Sequence, residues 1–228
     1  MDFQNGEILL IDKPLTWTSF DVVNKIRYAT KTKKVGHAGT LDPLATGLLI
    51  VCTGKLTKQI DGIQATEKEY EVELVLGKTT PSIDLESDFD SETDFSQLQN
   101  EQIVAVFENF KGIIQQIPPM FSAIKVNGKP AYLAAREGKD LELKSREVEI
   151  KSLIINHIDL PTVKFTVVCS KGTYIRSLVR DIGEKLGVGA YMSALRRTRI
   201  GDFDLKNAWQ LPQLIETIHQ LKNQENND

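Results

Sequence analysis

Hydrophobic and polar positions alternate most cleanly over Lys68 to Gly77 (KEYEVELVLG), where Tyr70, Val72, Leu74 and Leu76 share one face and Glu69, Glu71 and Glu73 the other. This period of two predicts a half-buried strand with Tyr70 on its inner side. Gly6 to Pro14 (GEILLIDKP) reads as a short buried strand ending in a polar corner. Leu48 to Cys52, Val148 to Ile158 and Val163 to Cys169 also read as strands, the last two paired and rich in Ile and Val. Helical spacing appears in Phe20 to Tyr28, with Val22, Val23 and Ile26 on one side and Thr18 or Ser19 as the cap. A second helix is expected at about Gln97 to Phe110. A third spans Ser170 to Gly187, where Ile175, Leu178, Val179, Ile182 and Leu186 form an apolar stripe, leaving Arg176 and Arg180 four apart on another face. Asn127-Gly128 is a hairpin-turn signal ahead of a short helix at Tyr132 to Arg136. A last helix, about Pro212 to Leu221, precedes a polar tail expected to fray over residues 222–228.

No composition break or Pro/Gly/Ser linker divides the 228 residues, so a single domain is expected. The formal charge is −3, but Ser82 to Asn109 holds eight carboxylates and no Lys or Arg. With −8 in that segment, the remainder carries +5, which leaves room for a basic face. Cys52 and Cys169 sit in apolar runs and read as small hydrophobes, with nothing to suggest a secreted disulfide framework. The N-terminus lacks a signal-peptide pattern and no run of 18 apolar residues occurs, so a soluble, cytoplasmic protein is expected. His37, His157 and His219 form no ligand spacing with another His or a Cys, which argues against a metal site. Gly54-Lys55 is not a phosphate loop: Leu56 replaces the required Ser or Thr, and no glycine stands five places before Gly54.

The densest chemistry lies in Val35 to Lys55 (VGHAGTLDPLATGLLIVCTGK), where Gly36, Gly39, Gly47 and Pro43 frame one carboxylate, Asp42. Gly36 and Gly39 permit backbone angles closed to other residues, and Pro43 pushes Asp42 away from helical geometry. Two readings stand side by side: a reactive carboxylate held on a stiff loop, or an Asp-Pro pair that opens a turn. Lys31, Lys33 and Lys34 lie just ahead of the loop, either as a solvated charge run or as contacts for phosphates entering a site.

The segment GHAGTLDPLATGLL resembles the catalytic motif of the TruB family of tRNA pseudouridine synthases, and further matches run from Gly6 to about Leu211. They include Lys13-Pro14, the GTYIR run with Tyr174 and Arg176, and ALRRT with Leu195. The resemblance implies an α+β pseudouridine synthase fold with a central, mixed but mainly antiparallel sheet, flanking helices and an RNA-clasping insertion at about residues 117–140. It implies isomerisation of uridine 55 in the T loop of tRNA, with Asp42 as nucleophile and Arg176 pairing with it to keep it ionised. Tyr70 is expected against the reacting uridine, His37 in the gap left by the flipped nucleotide, and Tyr174 and Leu195 along the base pocket. Lys13 is expected to tie loops together. Asp84 matches a second family carboxylate, although Thr80-Pro81-Ser82 departs from the family's Thr-Asp-Thr and Thr79 stands where a cation is usual. Lys125, Lys129, Arg136 and Lys139, mixed with Phe121 and Tyr132, suit a lid gripping folded RNA. The resemblance further implies a short form without the family's C-terminal RNA-binding domain, no cofactor or metal, no membrane partner, the tRNA T arm as partner, and a monomer. Two alternatives remain: an RNA-binding or tRNA-folding module with dispensable catalysis, and a sibling synthase acting on another RNA.

Overall fold

The computed structural model describes residues 1–122, 124–126, 128–139 and 141–225. The chain opens with β1 (Ile8–Lys13), α1 (Ser19–Thr30), β2 (Val35–His37), β3 (Ala45–Thr53) and α2 (Ile60–Gln64). There follow β4 (Lys68–Leu76), β5 (Lys78–Thr79), β6 (Ser91–Glu92), α3 (Asn100–Glu108) and β7 (Gly112–Gln116). The next elements are β8 (Lys125–Val126), β9 (Lys129–Pro130), α4 (Ala131–Arg136), β10 (Arg146–Asp159), β11 (Thr162–Cys169) and α5 (Ile175–Lys185). The chain closes with β12 (Ala190–Ile200), β13 (Phe203–Asp204), β14 (Trp209–Gln210) and α6 (Leu211–Glu225). These elements form two compact units, Met1–Tyr70 with Leu195–Asp228, and Glu71–Ala194; β4 and β12 each run from one into the other.

In the first unit the strand order is β14-β1-β3-β12, with β2 on β3 and β13 on β12. β1 and β3 are antiparallel, from Ile8 opposite Cys52 to Lys13 opposite Gly47, whereas β3 and β12 run parallel through Leu195 opposite Ala45. β3 is apolar without alternation because both of its faces are covered. Leu49 and Val51 join Leu9, Ile11, Val22, Val23, Ile26, Leu214 and Ile218 under α1 and α6, while Leu48, Ile50 and Cys52 pack with Ala38, Ile63 and Ile200. Helix α1 starts at a capping box in which Thr18 and Asp21 exchange hydrogen bonds.

In the second unit the order is β4-β11-β10-β7. β10 is antiparallel to both β11 and β7. Phe107 of α3 meets Phe165 of β11 edge to face, with ring centroids 5.2 Å apart. Across the two units the pairings are mixed and mainly antiparallel, as the sequence led us to expect, and Cys52 and Cys169 are buried and free.

Several boundaries differ from expectation. β3 begins three residues earlier than Leu48, and β2, too short to show a period, pairs with it through Val35 opposite Thr53 and His37 opposite Val51. Helix α5 starts at Ile175 rather than Ser170, because Gly172 adopts φ +84°, outside the helical region. Helix α6 continues to Glu225 where fraying from residue 222 was expected; residues 226–228 lie outside the described residues. Asn127 of the hairpin signal also lies outside them, but its flanks pair, Lys125 with Pro130 and Val126 with Lys129.

Candidate active site

The loop 38–44 is the connection of the β2–β3 hairpin, and its backbone is tied down almost residue by residue. Ala38 N donates to Ile50 O at 2.9 Å. Leu41 is bound twice by Ser19, whose hydroxyl donates to its carbonyl (3.1 Å) and accepts from its amide (2.9 Å). Pro43 O accepts from Thr16 N at 2.9 Å and from Lys13 Nζ at 3.3 Å. Asp42 O accepts from Ala45 N at 3.1 Å, which closes a turn with Pro43 at its second position. The turn reading of Asp-Pro is therefore correct, and the same turn holds a half-buried carboxylate between two anchored neighbours.

Two buried cations brace this loop. Lys13, with no exposed surface, donates to Pro14 O (3.0 Å), Trp17 O (2.6 Å) and Pro43 O (3.3 Å), in keeping with its expected role of tying loops together. Burial lowers its pKa to about 8; the charge of Asp42 works against that lowering, and Arg197 adds to it. Arg197, 1% exposed, spans the hairpin: Nε donates to Leu48 O (2.8 Å), one terminal nitrogen to Gly39 O (3.0 Å) and the other to Thr40 O (3.4 Å). No local spacing singles out Arg197 as a brace. Its signal was parity, since it falls on the same side of β12 as Leu195, a position that alternation marks as inward.

The glycines of the motif do different work. Gly39 (φ +93°) and Gly47 (φ +98°) take left-handed backbone, and a Cβ at Gly47 would sit 2.3 Å from Arg197 O. Gly36, contrary to expectation, needs no such backbone; a side chain there would strike Ile60 Cδ1 at 2.8 Å.

His37 ends β2. Its Nδ1 is buried without a hydrogen-bond partner among the described residues, and burial, then the charge of Arg197, lowers its pKa. Tyr70 is 8% exposed on the inner side of β4, and Leu195, also 8% exposed, lies beside Ala45. Lys13, His37, Asp42, Tyr70, Leu195 and Arg197 thus all belong to the first unit.

The second unit gathers Arg176, Asp84 and Tyr174. Arg176, off the apolar stripe of α5, is nonetheless only 4% exposed. Backbone oxygens account for its burial, Ser82 O at 3.0 Å and Phe121 O at 2.7 Å, together with the equally buried Asp84 carboxylate at 3.6 Å. The altered Thr80-Pro81-Ser82 segment supports this network: the Thr80 and Ser82 hydroxyls donate to Asp84 O at 2.7 and 3.3 Å, and Asp84 Oδ1 accepts from Glu86 N at 3.0 Å. Tyr174 caps α5, with its amide and carbonyl both bound by the buried side chain of Gln116 (2.8 and 3.1 Å). The Arg146 guanidinium lies 4.5 Å above the Tyr174 ring. Gln116 also went unread in the sequence, where one Gln in a short run carries no signal. Among the described residues no group of three or more His, Cys, Asp or Glu could hold a metal ion. Among the same residues no helix is long and apolar enough to cross a membrane.

The chain aligns with a chain of a Cbf5-Nop10-Gar1 complex at TM-score 0.74 and 32% identity, over 94% of this chain and 54% of that one. It aligns with a chain of an H/ACA RNP bound to a substrate RNA containing 2′-deoxyuridine at TM-score 0.74 and 28% identity, over 98% and 56%. It spans a little over half the length of those chains. The mixed sheet and its flanking helices have the pseudouridine synthase fold. Residues 27–175 match the TruB family pseudouridylate synthase N-terminal domain, and residues 176–228 the tRNA pseudouridylate synthase B C-terminal domain. Proteins named tRNA pseudouridine synthase B are 56% identical in Parabacteroides distasonis, over 90% of both chains, and 50% identical in Phocaeicola vulgatus, over 99% of this chain and 98% of that one. The chain belongs to the TruB family.

Proposed function

We propose that this enzyme converts uridine 55 in the T loop of tRNA to pseudouridine, with Asp42 as the nucleophile. The C1′–N1 bond breaks, the freed base turns, and C5 joins C1′ while C5 loses a proton and N1 gains one; no net oxidation occurs. Asp42 engages the electron-poor centre created as the glycosidic bond opens. Tyr70 lies against the base and helps to move the C5 proton, and His37 fills the space left by the flipped nucleotide. The family resemblance further assigns Tyr174 and Leu195 to base binding, and to Arg176 the role of keeping Asp42 ionised. The observation that carries this reading is the bracing of the carboxylate: both neighbours of Asp42 are hydrogen-bonded through their backbone, to Ser19 on one side and to Thr16 and Lys13 on the other. A reactive group must be held this way, because freezing its orientation before substrate arrives removes that entropy from the barrier.

Asp42→Asn is expected to abolish pseudouridine formation in unmodified tRNA while leaving tRNA affinity within about threefold, under 1 kcal/mol of binding energy. Retained turnover would overturn the assignment of the nucleophile. Modification of purified tRNA at a position other than 55 would instead identify a sibling synthase, and normal tRNA maturation in cells carrying only the Asn variant would favour an RNA-folding module.

A further inference from the structure

We propose that the exposed face of α1, with the Lys31–Lys34 segment that follows, is a track for a second stretch of the substrate RNA, lying outside the loop that holds the reacting nucleotide. Helix α1 buries Val22, Val23 and Ile26 and turns Phe20 and Tyr28 outward, 62% and 81% exposed. Two aromatic rings so exposed gain nothing from the fold they decorate. Around them Lys25, Lys31, Lys33 and Lys34 are exposed, and among the described residues none has an ion-pair partner. Residues 20–34 hold five cations against one carboxylate, in a chain whose net charge is −3. That carboxylate, Asp21, is already occupied in the helix cap.

The placement matters as much as the charge. Ser19, the first residue of α1, is the one that bonds both backbone groups of Leu41, so the track begins beside the catalytic loop. Twelve helical residues at 1.5 Å each carry it about 18 Å away from that loop. A helix C-terminus ordinarily repels phosphate through its free carbonyls. Here Ala29 O accepts from Lys222 Nζ (2.6 Å), Lys31 O from Gln4 Nε2 (3.4 Å) and Ile26 O from the Thr30 hydroxyl (2.8 Å), which blunts that repulsion. Lysines interleaved with open aromatic faces suit a sugar-phosphate strand with partly unstacked bases better than a protein, whose docking patch would be poorer in Lys.

The inference rests on the reading that the substrate is tRNA. The test compares wild type with Lys31→Ala/Lys33→Ala/Lys34→Ala and with Phe20→Ala/Tyr28→Ala, using full-length unmodified tRNA and a short stem-loop carrying only the reacting loop. The triple variant is expected to bind full-length tRNA about tenfold or more weakly, with the slope of log affinity against log salt reduced by roughly 0.7 to 0.9 per lost phosphate contact. Its defect should appear in KM rather than kcat, and should be small on the short stem-loop. The aromatic variant is expected to lose about fivefold per ring with the salt slope retained. Unchanged affinity and slope for full-length tRNA would overturn the track. An equal loss on the short stem-loop would overturn it too, by placing the lysines at the reacting loop. Failure of the wild type to form pseudouridine in tRNA would instead defeat the proposed function, and the binding comparison separates the two.

Discussion

Lys13 carries a charge with no exposed surface, and three carbonyls and the nearby Asp42 only partly offset the loss of water, so its pKa falls from the usual lysine value to about 8. Between pH 8 and the unfolded value of 10.5 the unfolded chain binds more protons at this position than the folded one, so this contribution to stability rises with pH. Cys52 acts oppositely. Burial raises its thiol from 9.0 to about 11, so its contribution is lost as pH climbs through that interval. The window from pH 8 to 9 isolates Lys13: urea midpoints should increase with pH in the wild type and not in Lys13→Met. His37, lowered from 6.5, makes the folded state progressively less favourable as pH falls below that value, and His37→Gln should flatten the acid limb. At Arg197, lysine keeps the charge but cannot reach Leu48, Gly39 and Thr40 together. Arg197→Lys is expected to slow single-turnover chemistry about 10- to 100-fold with little change in RNA affinity, because the loop that carries Asp42 loosens. A proportionate loss of folded protein with normal chemistry in the remainder would show a purely structural role.

At the scale of elements, the β3–β12 pairing depends on one missing side chain. Gly47→Ala adds a Cβ 2.3 Å from Arg197 O at a backbone φ of +98°, so the strands must part where the Asp42 loop is braced. We expect little soluble protein, and loss of activity in whatever folds, read by yield and turnover. Helix α6 closes the core beneath α1, and Leu214→Ala is expected to cost about 2–5 kcal/mol in urea unfolding, since the fully buried leucine leaves a cavity. Helix α5 fastens the root of the insertion: Ser177 Oγ and Arg180 both donate to Ile117 O (2.8 and 3.0 Å), and Arg176 donates to Phe121 O. The arginine proposed to partner Asp42 thus also holds the base of the element expected to clasp RNA. Periodicity located α5 and set Arg176 off its apolar stripe, but gave no sign of how the guanidinium would be buried. A hydrophobic stripe says nothing about backbone oxygens from distant segments, and these make room for a buried guanidinium.

Across the whole molecule, charge is segregated along the chain rather than balanced. Residues 84–94 carry six carboxylates, most of them exposed, while residues 20–34 are basic. Neutralising exposed carboxylates, as in Asp88→Asn/Glu92→Gln, should tighten low-salt binding to non-cognate RNA, with the difference vanishing near 1 M salt, where the Debye length is about 3 Å. Binding that responds equally at all salt concentrations would show direct contact instead of a long-range field.

The amino-acid sequence alone determined the alternating strand that carries Tyr70, the amphipathic helices α1 and α5, the Asp42 motif and the family it resembles. These are local properties, written in spacing and in the backbone limits of Gly and Pro. Tertiary structure decided that Lys13 and Arg197 brace the loop of Asp42, that Arg176 is buried, and that Gln116 anchors Tyr174. Each of these is a polar side chain with at least one carbonyl or amide partner remote in sequence, and no local period records where such groups will be brought.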